Sequence, residues 1–250
     1  MKRTVLLLLA LILFSASALA DPIPLLEDYS LDYVLRYDEN DPSAGQYEYI
    51  CHYPHVDPEA PGAAAIDSYY EYKDNDSRNF SAMINAEYYK ENRISGRTEI
   101  TYTVTCNNDR FFSVLFTITD ASEGNEAVSY VANVFSREEG RGDSTYTLPQ
   151  LLNTLSITED DEFVEKRATE KADKLVRGMI WKMIRENEAG VEYYDDFDET
   201  QLEENYNPEE DFYLDENGDP VFFLQPGMAA DDSFGLLTFP IPLDDILDEL

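Results

Sequence analysis

Apolar residues recur along this chain with two distinct periods, and the switches between them mark out the elements. Gln46 to Tyr53 alternates apolar and polar positions in the manner of a half-buried strand, and Pro54 ends it. Two helical stretches follow, Ala63 to Tyr72 and Asp76 to Asn92. Thr98 to Cys106 and Phe111 to Thr119 alternate on either side of the turn-rich Asn107-Asn108-Asp109, which predicts an antiparallel hairpin, and Ala127 to Ser136 reads as a further strand. The longest helical period runs from Thr158 to about Glu188. There Phe163, Val164, Ala168, Ala172, Leu175, Val176, Met179, Ile180, Met183 and Ile184 fall on one stripe with Trp181 beside it, and Thr158 with Asp161 resembles a capping box. Gly190 is placed to end that helix. Phe212 to Leu214 and Val221 to Leu224 flank an Asn217-Gly218 hairpin signal, Leu236 to Ile241 is one more strand, and Leu243 to Leu250 a short terminal helix. The order predicts an α+β fold of mostly antiparallel sheets with helices packed on one face.

The first twenty residues follow neither pattern. Lys2 and Arg3 precede an unbroken apolar run, Val5 to Phe14, and Ala18-Leu19-Ala20 offers the small-x-small pattern of signal-peptidase sites, so cleavage is expected between Ala20 and Asp21. The expectation is a signal peptide over 1–20, a tether over 21–45, an N-terminal α+β subdomain over 46–140 and a C-terminal one over 141–250. The product is expected outside the cytoplasm, in solution and with no membrane anchor after cleavage.

Charge narrows the partners. The chain holds 52 Asp and Glu against 18 Lys and Arg; taking away Lys2 and Arg3 leaves 16, and 16 − 52 = −36. Nucleic acid is excluded as a partner, since phosphate binding needs clustered bases, and a cationic partner is the electrostatic match. Aromatics make up 13% of the residues, enough to build a core, so the acidity does not by itself mean disorder. Composition singles out 186–219, which has no basic residue, as the least structured internal stretch, a solvated helix-loop that Tyr193, Tyr194, Phe197, Leu202 and Tyr206 could hold in part.

Chemistry-bearing motifs are few. Cys51 and Cys106 are the only cysteines, and in an exported protein such a pair reads as one disulfide closing a loop of about 55 residues, worth roughly 4 kcal/mol on the chain-entropy view; two buried thiols are the alternative. His52 and His55 with Asp57 invite a metal reading, but residues three apart on a strand point to opposite faces unless Pro54 turns the chain. Asp215 to Asp219 resembles the start of a calcium loop without the Glu that would close it, and a plain turn accounts for it. Arg141-Gly142-Asp143 is the tripeptide that integrins read, too short to carry weight. No serine-hydrolase elbow, zinc-protease helix motif or phosphate loop is present, so no catalytic residue is assigned and no cofactor is implied.

Several short pieces together carry a family likeness from about residue 45 onward. Tyr53-Pro54-His55-Val56, then Tyr146-Thr147-Leu148-Pro149-Gln150-Leu151-Leu152, then Phe212-Tyr213-Leu214, Val221-Phe222-Phe223 and Leu236 to Pro242, with Pro226 and Gly235 between the last two, stand in this order. Their order resembles the exported domain of unknown function shared by RsiV-type anti-sigma factors, which sense lysozyme, and the N-terminal region of PdaC-type polysaccharide deacetylases. Family members often carry Gly-Gly-Ala-His before the middle strand, where this chain has Gly124-Asn125-Glu126-Ala127, without the histidine. The resemblance implies an RsiV-like ectodomain, and neither sigma-factor regulation nor deacetylation is carried over. It implies a non-enzymatic binding or sensing module at the bacterial cell envelope, its ligand a cationic protein of the lysozyme kind or cell-wall glycan. The competing reading is a small extracellular hydrolase of glycan or peptide that uses carboxylates or the His52/His55 region.

Overall fold

The computed structural model describes residues 21–138, 145–154, 161–187 and 189–250, so the expected signal peptide with Ala20, Arg141-Gly142-Asp143 and Thr158 lie outside the described residues. The chain is α+β. A five-stranded mixed sheet runs in sequence order through β1 (Tyr29–Arg36), β2 (Gln46–Tyr53), β3 (Gly96–Asn107), β4 (Phe111–Ser122) and β5 (Asn125–Ser136). All neighbours are antiparallel except β2 and β3. That parallel pair needs a crossover, supplied by α1 (Ala64–Ser68), a π-helical stretch Tyr69–Asp74 and α2 (Asn75–Asn92), one helical run where two helices are expected from sequence. A second, antiparallel sheet joins β6 (Phe212–Leu214), β7 (Pro220–Leu224) and β8 (Leu237–Pro240). Around it stand α3 (Leu148–Leu151), α4 (Glu162–Glu186), α5 (Glu199–Asn205) and α6 (Leu243–Glu249). No described helix is long and apolar enough to cross a membrane.

Segment 21–45 is not a tether throughout. Tyr29, Leu31, Tyr33 and Leu35 alternate inward against the first core while Ser30, Asp32, Val34 and Arg36 are exposed, and β1 pairs along its whole length with β2 as the sheet edge. The residues before it are fastened too. The Ile23 amide donates to Asn107 Oδ1 at 2.7 Å and Asn107 Nδ2 donates back to the Ile23 carbonyl at 2.9 Å. Arg137, only 7% exposed, spends its guanidinium on backbone carbonyls, with Nη1 donating to Asp21 and Asn108 and Nη2 to Pro61 at 3.0 Å.

Two cores share the larger sheet. On one face Tyr47, Tyr49, Cys51 and Tyr53 of β2 meet Ile66, Tyr70, Ala82 and Ala86 of the crossover helices, with Phe112, Val114 and Phe116 of β4. On the other face, at the β4 start, Phe111 and Val134 join a core built from α4, β6, β7 and β8. Four residues running, Phe111 to Val114, are therefore buried. Ser113 links the sheets, its Oγ accepting from the Leu214 amide at 3.0 Å and from Thr105 Oγ1 at 3.0 Å. Within α4, Asp161 caps the start, Asn187 at φ 44° rather than Gly190 ends the helix, and only part of the expected stripe is core. Ala172, Val176, Ile180 and Ile184 are buried, whereas Leu175, Met179, Trp181 and Met183 are partly buried and Phe163 and Val164 are exposed.

The expected disulfide is absent, and register explains why. Cys51 stands opposite Ile100 of β3, and Cys106 lies six residues further along that strand, ~20 Å away at ~3.3 Å per residue against a bridging limit of ~7 Å. A bulge between Val104 and Cys106 also turns Cys106 to the opposite face, so the two thiols belong to different cores. Alkylation of unfolded, unreduced protein should modify both cysteines, and a reductant should leave the melting temperature unchanged. A second prediction tests the Arg137 junction. Gly62 has φ +76°, and a Cβ there would lie 2.4 Å from the Arg137 carbonyl oxygen, so Gly62→Ala should destabilise the chain by about 1–3 kcal/mol in urea unfolding.

Candidate functional site

The acidic stretch 186–219 folds onto the second core. Asn187, left-handed at the end of α4, closes a loop by exchanging two side-chain bonds with the Val191 backbone, both 2.9 Å. Tyr193 then bridges to Ala230, and the Tyr194 amide donates to the Ala229 carbonyl at 2.9 Å. Asp198 caps α5 by accepting from the Gln201 amide at 3.0 Å. Leu202 and Tyr206, 1% and 2% exposed, drive this helix into the core, and Arg177 Nε on α4 donates to the Tyr206 carbonyl at 2.9 Å. Phe197 packs against Trp181 with ring centroids 6.4 Å apart. These anchors leave Glu192, Asp195, Asp196, Glu199, Glu203 and Glu204 exposed on a packed backbone.

Behind this surface lie carboxylates of a different kind. Asp173, on the buried face of α4, has Oδ2 at 3.7 Å from Arg177 Nη2, while its Oδ1 has no hydrogen-bond partner among the described residues. Burial raises its pKa against the opposing pull of Arg177. Glu209 is raised by burial and by the neighbouring charge of Asp173. Asp211 is pushed up to about 6, again by burial, with the Gln225 amide opposing. Its carboxylate accepts from Gln225 Nε2 at 3.2 Å, and that same side chain grips Tyr130 of β5, accepting from its amide at 2.9 Å and donating to its carbonyl at 2.8 Å. Asp211 therefore supports a clasp between the two sheets, at the side of a cleft of about 620 Å³ that Glu209, Glu210 and Tyr146 also line.

The residues marked by the sequence do not converge. His52 faces away from the core beside Ser30 of β1. His55, past the end of β2, places Nδ1 2.9 Å from the Glu27 carbonyl oxygen and stacks on Tyr29 at 4.2 Å. Asp57 Oδ1 accepts from the Glu59 amide at 3.0 Å. Among the described residues no group of three or more His, Cys, Asp or Glu is arranged to hold a metal ion. Asp215 likewise spends Oδ1 on the amides of Asn217 and Asp219, at 2.8 and 3.0 Å, as a turn does.

What sequence reasoning missed is Asp67. It is buried in α1, with the Tyr29 hydroxyl donating to its carboxylate at 3.4 Å and His55 Nε2 3.9 Å from Oδ1. Burial raises its pKa, with His55 opposing. The one available signal was an acid inside the apolar run Ala63-Ala64-Ala65-Ile66-Asp67, on the face that the helix must bury. The cluster ties the N-terminal segment to α1.

No family model and no curated protein matches the chain. Among solved structures it is similar to a DUF3298 family member from Bacteroides fragilis, at 14% identity and TM-score 0.45, over 89% of this chain and 92% of that one. It is also similar to a DUF3298 family protein from Pseudomonas aeruginosa, at 10% identity and TM-score 0.47, over 91% and 94%. At such identities neither neighbour passes an activity or a partner to this chain.

The buried carboxylates set a pH dependence. Asp211 titrates near 6 when folded against 3.8 ordinarily, so the folded state holds its proton longer than the unfolded one, and stability falls as pH rises from about 4 to about 6. Asp211→Asn keeps an oxygen acceptor for Gln225 and removes the charge. It should raise stability at pH 7 by about 1 kcal/mol, after allowance for solvent screening, and leave stability at pH 4 unchanged in urea titrations.

Proposed function

We propose that this chain is a secreted, non-enzymatic binding module of the bacterial cell envelope, and that its ordered acidic face receives a cationic protein of the lysozyme kind. The observation that carries this reading is the anchoring of the acidic segment. Leu202, Tyr206 and Phe197 fix α5 and its flanks, so Asp195, Asp196, Glu199, Glu203 and Glu204 stand exposed on packed backbone. A surface already ordered loses less conformational entropy on binding than a disordered acidic tail would. The formal charge of −34 adds long-range attraction that raises the encounter rate with a basic protein. Cell-wall glycan is the other ligand class, and it gains nothing from this field. The histidine form of the hydrolase reading has less support, because His52 lies beside Ser30 of β1 whereas His55 is engaged by the Glu27 carbonyl and the Tyr29 ring.

Calorimetric titration with a basic lysozyme and with soluble wall fragments, at low and moderate salt, tests the reading. Lysozyme is expected to bind with an affinity that falls as salt rises. Neutralising Asp195, Asp196, Glu199, Glu203 and Glu204 to their amides should weaken it at least about tenfold, equal to about 1.4 kcal/mol, and flatten the salt dependence. Failure to bind lysozyme at low salt overturns the proposal, and binding of glycan alone replaces the partner class.

A further inference from the structure

The five-stranded sheet ends in two edges, and the chain treats them differently. At β5 the outer edge is obstructed. The Gln225 side chain accepts from the Tyr130 amide and donates to its carbonyl, and the Tyr146 amide donates to the Val134 carbonyl at 2.6 Å. At β1 the edge is open. The Tyr37 amide donates to the Gly45 carbonyl at 3.1 Å, which sets the phase of the ladder: Tyr29, Leu31, Tyr33 and Leu35 bond to β2, while Ser30, Asp32, Val34 and Arg36 turn their amides and carbonyls outward. Among the described residues none of those outward groups has a hydrogen-bond partner. Devices that blunt an edge are missing as well, since β1 has no proline, no lysine and no bulge in its pairing with β2.

The side chains of this edge are complementary to themselves. Asp32, Val34 and Arg36 are exposed on one face, Val34 at 52%. Asp32 and Arg36 have no ion-pair partner among the described residues, and four positions apart on a strand, ~13 Å, they cannot reach each other. An antiparallel copy centred on Val34 brings them together. It sets Val34 opposite Val34, Asp32 opposite Arg36 of the second copy and Arg36 opposite its Asp32, all in the closely spaced hydrogen-bonding phase. On the other face Tyr33 meets Leu35 of the second copy, so half-buried side chains at the margin of the first core are covered. Neighbouring registers lose this match. Centring on Asp32 sets it against itself, centring on Tyr33 leaves it opposite Val34, and centring on Leu35 sets it against Asp38.

We propose that two copies of this chain pair through β1, antiparallel about a two-fold axis at Val34, to form one continuous sheet. The formal charge of −34 opposes this at long range, and its effect depends on where the charge stands. β1 lies three strands from β4, ~14 Å, whereas the acidic segment packs with the second core on the β4 and β5 side. At physiological ionic strength exposed charges more than ~8 Å apart are largely screened. Salt therefore weakens the repulsion more than it weakens the contact pairs of Asp32 with Arg36. The shared ladder is short, so the dimer is reversible and depends on protein concentration.

Sedimentation of the full chain over a range of concentrations tests this. A monomer–dimer equilibrium is expected, with more dimer at about 150 mM salt than at about 10 mM, the opposite sense to lysozyme binding. Val34→Pro removes the central amide at a position that an edge strand tolerates, and should abolish the dimer while circular dichroism stays that of the parent. Asp32→Arg should weaken the dimer about tenfold although it lowers the net charge, because like charges then face each other. Asp32→Arg with Arg36→Asp should restore it at unchanged net charge. This exchange keeps every backbone amide, so it decides the matter should Val34→Pro disturb the strand. Val34→Cys, with Cα atoms about 5.5 Å apart across the axis, should cross-link on oxidation, and Ser30→Cys should not. Cys51 and Cys106 are buried and do not compete. A chain that stays monomeric at both salt concentrations overturns the proposal. So does a dimer that survives a folded Val34→Pro, that the double exchange fails to restore, or that cross-links through Ser30→Cys in place of Val34→Cys.

Discussion

Burial of β4 on both faces is the constraint on which the rest of the molecule depends. Along Phe111 to Val114 no side chain reaches water, because even residues enter the core under α1 and α2 while odd ones enter the core under β6 and α4. A sheet covered on both sides must satisfy every polar group internally. Ser113, the one hydroxyl in that run, does so by accepting from β6 and from Thr105 at once. The bulge that carries Cys106 across the sheet serves the same geometry, since it hands one more side chain to the second core at the point where the two meet. Arg137 and Asn107 close the same end of the sheet with backbone carbonyls and amides as partners.

How much of this could be read from the chain depends on whether the deciding contact is local. Strands β2 to β5 announce themselves, because aromatic and β-branched residues alternate over eight or more positions. β1 carries the same alternation in Tyr29, Leu31, Tyr33 and Leu35, but as an edge strand it is half-buried and its polar flanks read as linker. The cysteine pairing failed for a non-local reason: parallel register and a one-residue bulge decide both distance and face, and neither leaves a mark on Cys51 or Cys106. The stripe on α4 was legible as apolar, yet which part of it meets a core depends on how β8 and α6 are placed, so Met179 and Met183 line a groove where sequence assigns them to the interior.

The acidic segment shows the same limit from the other side. Counting carboxylates describes its exterior and says little about its attachment, in which the side chains of Phe197, Leu202 and Tyr206 join the Asn187 loop closure and the Tyr193 bridge. The buried acids behind it were unreadable for an analogous reason. Asp173, Glu209 and Asp211 are distinguished from dozens of solvated carboxylates only by tertiary burial, and the Gln225 clasp that fixes Asp211 spans two sheets.

The parallel pairing of β2 with β3 also bears on the order in which the chain assembles. β3, β4 and β5 are joined by short turns and form a meander from local contacts, whereas β2 reaches β3 only after the whole helical crossover has closed. Non-local pairing of this kind is slow, because loop entropy is lost before the contacts repay it. The row Tyr47, Tyr49, Cys51 and Tyr53 is thus among the last to be covered, and until then the growing nucleus exposes a sticky aromatic edge. Mutual repulsion between chains of formal charge −34 opposes association through that edge for as long as it is uncovered.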